Sequence, residues 1–279
     1  MTYADGVFLR NLEDLTENGT WDENPRPKYK DGTPAHSRFV TDVFAKYEAG
    51  VTPIISLRQT AWKTGVREII AIYQKQVSSI KELEELGVNW WRDWDIGDGT
   101  IGTRYGATVK KWDLMNKLLD GLVTNPFGRR HIINLYQESD LQETDGLHPC
   151  AFLTEWACRR VDDDMYLDMS LTQRSSDFGT AYSINQVQYK AFQMMVACHC
   201  GYKVGTFSHH VMNLHGYDRH GHQLAMMMLN APRTQKDEPK LVLNAESGTN
   251  FYDIKVEDFE MINYKPVKYA QKLVFELAI

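Results

Sequence analysis

The sequence predicts an α+β domain with a mixed sheet flanked by helices, and three observations lead there. Apolar residues recur at helical spacing in three separate segments, strand-like stretches fill the middle and later parts of the chain, and the two kinds do not strictly alternate. A chain of 279 residues with no Ser/Gly/Pro-rich linker or low-complexity tract is expected to form one domain over 1–279 with a substantial core.

The first helical segment runs from Trp62 to Tyr73, where Val66, Ile69, Ile70 and Tyr73 recur with the helical period. Glu68 lies among them, an unusual place for a carboxylate because burial disfavours its charge. A second helix is expected from about Val109 to Leu122, with Trp112, Met115, Leu119 and Leu122 on one side and Asn125-Pro126 as its stop. The period then becomes that of strands: His131 to Tyr136, Cys150 to Arg160 and Met165 to Arg174, the last two joined by Asp162-Asp163-Asp164. Met165, Leu167, Met169 and Leu171 alternate with Tyr166, Asp168, Ser170 and Thr172, as in a half-buried strand. Asn185 opens a long apolar helix ending at Gly201, with Val187, Ala191, Met194, Met195 and Cys198 on its buried side. Val204 to Val211 and Lys240 to Asn244 complete the strands.

Composition narrows the function. A net charge of −6 argues against a nucleic-acid polymer as partner, although a single nucleotide needs only a local cluster of arginines. The four cysteines, Cys150, Cys158, Cys198 and Cys200, come without a signal peptide or an apolar run near the roughly 18 residues of a membrane span, so free thiols in a reducing cytoplasm are expected. Cys198-x-Cys200 lacks the usual two-residue gap of a zinc site and has no second pair. His209, His210, His215, His220 and His222 form the other candidate metal cluster, without an accompanying carboxylate–histidine motif, and no metal is expected.

Cys150 sits in His148-Pro149-Cys150-Ala151-Phe152, the chain later reads Gln173-Arg174-Ser175-Ser176-Asp177, and Asn185 stands eight positions past that aspartate. Together these stretches resemble the active site of the thymidylate synthase family. Further matches follow in order along the whole chain. Pro25-Arg26-Pro27-Lys28 with Asp31-Gly32-Thr33-Pro34 resembles the family's phosphate loop in a longer form, and Arg67-Glu68-Ile69-Ile70 the helix of its essential glutamate. Trp91, Trp94, Gly99-Thr100-Ile101-Gly102 and Tyr105-Gly106 resemble the folate-side pattern. Arg129-Arg130 resembles the arginines lent across a dimer interface, Asn213-Leu214-His215-Gly216-Tyr217 the sugar-binding element, and Ala278-Ile279 the closing tail.

The resemblance implies a homodimer whose sheets pack together, and reductive methylation of dUMP to dTMP with 5,10-methylenetetrahydrofolate as one-carbon and hydride donor. Cys150 would be the nucleophile toward C6 of uracil. A free thiol ionises near pH 8.5, so a cation must stand close, and Arg174 is the candidate. Glu68 and Tyr105 would handle protons, and Asp177 would hydrogen-bond the pterin. Arg26, Arg174 and the partner's Arg129 and Arg130 would surround the phosphate with Ser175. Gln173, His215 and Tyr217 would join them in holding dUMP. Asn185 would read N3–H and O4 of uracil, since an amide offers one donor and one acceptor. A cap of the helix it opens is a compatible local role for the same side chain. Trp91, Trp94, Ala181 and Ile279 would complete the folate side.

Departures from the family pattern gather on that side: Thr180-Ala181-Tyr182-Ser183-Ile184, Trp90 and Arg92 beside Trp91, and Arg58 where lysine is usual, with Asn213 and Ala151 as further substitutions. They leave open a related hydroxymethylase acting on dUMP, or less favourably dCMP, in which water captures the methylene intermediate. A non-catalytic nucleotide-binding regulator and a cysteine hydrolase are the readings from other classes. The first has no need of Cys150 and Glu68, and the second leaves the arginines unexplained.

Overall fold

β-branched and alternating segments assemble into a seven-stranded sheet in the computed structural model, which describes residues 1–234 and 237–279. The main path runs β1 (Thr20–Trp21), β2 (Ser37–Tyr47), β7 (Lys203–Tyr217), β5 (Asp164–Gln173), β4 (Ala151–Val161), β3 (Ile132–Asn134), with β6 (Ser176–Asp177) paired to the end of β7. β5 and β6 lie parallel to β7 and the other pairs are antiparallel, so the sheet is mixed as expected. β8 (Lys240–Leu243) and β9 (Phe259–Ile262) form a small second sheet.

The helices are α1 (Tyr3–Asn18), α2 (Trp62–Ile69), α3 (Ile80–Glu85), α4 (Gly106–Trp112), α5 (Leu114–Thr124), α6 (Glu138–Glu143), α7 (Tyr182–Cys200) and α8 (Gly221–Leu229). Among the described residues, none is long and apolar enough to cross a membrane. α7 is the central one. Its Phe192 meets Trp156 of β4 edge-on at 5.1 Å, and Gln193 Nε2 donates to the carbonyls of Leu167 and Thr206, at 2.8 and 2.9 Å. Those bonds serve backbone oxygens where the pairing of β5 with β7 shifts register. α2 packs on α7 closely enough that a Cβ on Gly65 would stand 3.0 Å from Gln188 Cβ, so glycine there permits the approach.

Three helical expectations need correction. The helix expected over 109–122 is two, because Asp113 adopts a left-handed conformation (φ 50°, ψ 45°) between α4 and α5. Trp112 therefore leaves the apolar stripe and is 37% exposed, while Met115, Leu119 and Leu122 stay buried. α7 begins at Tyr182, so Asn185 lies inside its first turns and does not cap it. The segment over 62–73 is helical throughout, but it widens after Ile69 into a π turn, Ile70–Gln74, with the Lys75 amide bonded to the Ile70 carbonyl at 2.9 Å. Such widening is frequent at functional sites, and Glu68 stands just before it.

Candidate active site

The C-terminal end of β5, the start of β4 and the first turns of α7 meet at a cavity of about 760 Å³. Cys150 is the residue just before β4, and Arg174 the one just after β5. Arg174 is anchored there by the carbonyls of Pro149 (Nε, 3.1 Å) and His148 (Nη2, 2.8 Å). The same Nη2 stands 3.3 Å from Cys150 Sγ, and Ser175 Oγ lies 3.7 Å from the sulfur. A fixed guanidinium beside the sulfur is placed to pair with negative charge there. The Cys150 amide donates to the Tyr105 hydroxyl oxygen at 3.1 Å, leaving that hydroxyl's proton free to turn into the cavity. Tyr105 itself is held at φ 46°, ψ −104°, a strained setting for a non-glycine residue.

A chain of amides leads to Asn185. His209 is fully enclosed and burial pushes its imidazole down to about 3, with the neighbouring His210 adding to the effect, so it is neutral. Gln186 Nε2 lies 3.3 Å from His209 Nδ1, and Gln173 Oε1 lies 2.5 Å from His209 Nε2. With Nδ1 accepting, Nε2 carries the proton and donates to Gln173, whose Nε2 then donates to Asn185 Oδ1 at 3.3 Å. This order leaves both N–H bonds of Asn185 and one lone pair of its oxygen for a ligand. Gln173 also lines the cavity. The sequence showed His209 only as one of a histidine cluster. Among the described residues no group of three or more His, Cys, Asp or Glu is gathered as for a metal ion.

Glu68 projects from α2 into the same cavity with 6% of its surface exposed. Burial raises the pKa of its carboxyl, while donors from Trp90, Trp91 and Gln188 act the other way. Trp90 Nε1 and Trp91 Nε1 reach Oε1 at 2.6 and 2.5 Å, and Gln188 Nε2 reaches Oε2 at 3.0 Å. Of these partners only Trp91 was a site candidate from sequence, and there it stood on the folate side. The signal for Trp90 was its departure from an apolar neighbour; Gln188 left none, since a glutamine mid-helix looks like any polar residue.

Asp177, on β6, accepts from the Gly179 amide at 2.8 Å and from the Thr180 hydroxyl, and stands 3.5 Å from His220 Nδ1. Burial would raise its pKa, but His220, His215 and Thr180 outweigh burial and lower it. His215 and Tyr217 extend the wall, their rings edge to face at 5.2 Å, with His215 Nδ1 3.0 Å from Asn213 Oδ1. Trp94, Ala181 and Ile279 also line the cavity, and Trp91 meets both Trp94 and Tyr105 edge-on. The last residue is stitched to the loop of Arg26: Ile279 and Lys28 exchange backbone hydrogen bonds of 3.0 and 2.7 Å. Arg26 lines the cavity, while Arg129 and Arg130 are exposed and lie outside the cavity of their own chain. Arg58 turns inward to the Gly179 carbonyl at 2.7 Å, its guanidinium over Phe275 of the tail.

Known proteins similar to this chain belong to one family. The profile of the family described as thymidylate synthase matches residues 6–278. The chain is 51% identical over 284 aligned positions to the thymidylate synthase of Lactococcus lactis subsp. lactis (strain IL1403), covering all of both. It is 49% identical over 283 to that of Streptococcus pneumoniae (strain 70585), again over the whole of both. Among solved structures, thermostable thymidylate synthase A from Bacillus subtilis superposes with a TM-score of 0.88 at 32% identity, over 99% of each chain.

Proposed function

From a chain that belongs to the thymidylate synthase family, we propose a catalyst that converts dUMP and 5,10-methylenetetrahydrofolate to dTMP and dihydrofolate, with Cys150 as its nucleophile. The observation that carries this reading is Cys150 Sγ at 3.3 Å from an anchored guanidinium, in one cavity with Glu68 and Asn185.

The Cys150 thiolate adds to C6 of the uracil ring, and the displaced electrons make C5 nucleophilic. C5 bonds to the one-carbon unit of the folate. Glu68, directly or through water, and Tyr105 then take the C5 proton as the carbon–nitrogen bond to the folate breaks. Hydride from the tetrahydrofolate reduces the resulting exocyclic methylene, and Cys150 leaves C6. Asn185 offers N–H to O4 and its free lone pair to N3–H; cytosine presents the reverse pattern at both positions. Asp177 is assigned to the pterin and His215 and Tyr217 to the sugar, with Ser175, Arg26 and Arg174 on the phosphate. Trp94, Trp91 and Ala181 flank the folate, and the tail ending at Ile279 excludes water during hydride transfer.

The working unit is a homodimer in which the partner supplies Arg129 and Arg130 to the phosphate. Phe44 of β2 and Met212 of β7, 60% and 52% exposed on the sheet, support a sheet-to-sheet interface. Four free cysteines suit a reducing cytoplasm. Product analysis tests the reaction: with dUMP and methylenetetrahydrofolate, mass spectrometry should find a methyl product with a matching rise in dihydrofolate absorbance. A hydroxymethyl product with no such rise would replace methylation by hydration of the same intermediate.

A further inference from the structure

Trp90 has no part in the scheme above, yet it touches the most enclosed carboxylate of the cavity. It lies in the turn after α3, half-buried and lining the cavity wall. Its indole N–H points neither to solvent nor to a carbonyl but to Glu68 Oε1 at 2.6 Å, the oxygen that Trp91 already holds at 2.5 Å. With Gln188 Nε2 on Oε2 at 3.0 Å, three N–H groups converge on one carboxylate. An ionised carboxylate accepts about four hydrogen bonds, so this arrangement leaves about one position for water or substrate and determines its direction.

Electrostatics gives those donors their importance. The titratable groups coupled to Glu68 are Tyr73 on the π turn, Tyr105 at the start of α4 and Tyr189 on α7; Cys150 and the Arg174 guanidinium lie beyond Tyr105 and act on it, not directly on Glu68. Among the described residues, no cation acts directly on the Glu68 carboxylate. The charge of Glu68 is therefore offset by neutral N–H donors, which in an enclosed site act more strongly than in water.

Resting on the reading of Glu68 as the group that handles the C5 proton, we propose that Trp90 is a positioning residue for the reaction. Its N–H fixes the direction of the Glu68 carboxylate and stabilises its negative charge alongside Trp91. Phenylalanine, leucine or isoleucine at 90 would fill the wall equally well but leave Oε1 with one donor. Losing a donor makes the carboxylate easier to protonate, so the acid limb of the rate profile moves to higher pH.

The test compares Trp90→Phe, Trp90→Gln and Glu68→Gln with the parent enzyme, reading kcat and KM against pH together with tritium release from [5-³H]dUMP. Trp90→Phe should lower kcat about tenfold near neutral pH, the value of one hydrogen bond to a charged group. Its acid limb should rise while KM for dUMP stays within about twofold. Trp90→Gln, which restores an N–H, should return the acid limb toward that of the parent. Infrared titration of the unliganded proteins reads the same carboxyl without turnover and should show it protonated at higher pH in Trp90→Phe. A parent-like acid limb and kcat in Trp90→Phe, with Glu68→Gln inactive, would overturn the role of Trp90 alone. Parent-like tritium release in Glu68→Gln would instead remove the proton-handling reading beneath it.

Discussion

The two ends of the cavity are built by different means. At the end assigned to the nucleotide, Cys150, Gln173 and Arg174 stand at the adjoining ends of two paired strands, and Asn185 on the first turns of the helix packed over them. The backbones of Cys150, Gln173 and Arg174 share one hydrogen-bonded frame, the Arg174 amide donating to the Cys150 carbonyl at 3.0 Å. At the end assigned to the folate, the wall is the turn carrying Trp90 and Trp91, the N-terminus of α7 and a tail without regular structure. That tail is held by side chains: Arg219 grips both oxygens of Glu276 at 3.0 Å and Asp31 of the loop after Arg26 at 2.8 Å, while His220 meets the Glu276 carbonyl at 2.8 Å. Reacting groups need sub-ångström placement and sit on rigid elements, whereas groups that close over a substrate must be able to let go.

The comparison breaks most visibly at the sulfur. Cys150→Ser should lower turnover on the order of 10⁴-fold or more, with dUMP affinity by calorimetry little changed; parallel losses of both would mean that the thiol holds the site together without reacting. Asn185→Asp should come next. It replaces the N–H donors by acceptors, so kcat/KM for dUMP should fall about a hundredfold and that for dCMP should rise in a competition assay. A variant that still rejects dCMP would move base reading elsewhere on the rigid end.

At the other end effects should be smaller and confined to the closing step. Arg219→Ala cuts the link between the Asp31 loop and the tail, and should lower kcat about tenfold with dUMP affinity retained. If dUMP affinity falls equally, the two ends are one mechanical unit and the contrast between them is lost.

A separate effect, on stability and not on turnover, concerns the frame beneath the rigid end. Lys190 on α7 is buried, donating to the Gly205 carbonyl at 3.1 Å and to Gln193 Oε1 at 2.9 Å, and burial lowers its ammonium to about 8. The native state therefore gives up this proton more readily than the unfolded chain does. Between pH 8 and the ordinary lysine value of 10.5 the unfolded state binds more protons, so stability rises with pH there, by at most about 3 kcal/mol. Denaturant titrations across that window should show the rise in the parent and lose it in Lys190→Met.

Legibility in the sequence divides along the same line. The strand-end motifs around Cys150 and Arg174 could be read because each is a contiguous run whose neighbours in sequence are also neighbours in space. β4 and β5 came out within a residue of their expected limits, since alternation is a local signal. β2 was overlooked although Val43, Ala45 and Tyr47 alternate with exposed Phe44 and Lys46, so its signal was present. Other features had none. The left-handed Asp113 that divides α4 from α5, the π turn after Glu68, and the approach of Gln188 to the Glu68 carboxylate are all decided by tertiary packing. In the sequence His209 is only one of five clustered histidines with no role assigned, and its enclosure between Gln173 and Gln186 is what gives it a part in the site.

The sulfur–pyrimidine bond is the central claim, and trapping it is the most direct measurement. Incubated with 5-fluoro-dUMP and methylenetetrahydrofolate, then digested and weighed, the peptide containing Cys150 should carry the mass of both ligands, because fluorine at C5 cannot leave as a proton does. An unmodified Cys150 peptide, or an adduct on Cys158, Cys198 or Cys200 instead, would contradict it.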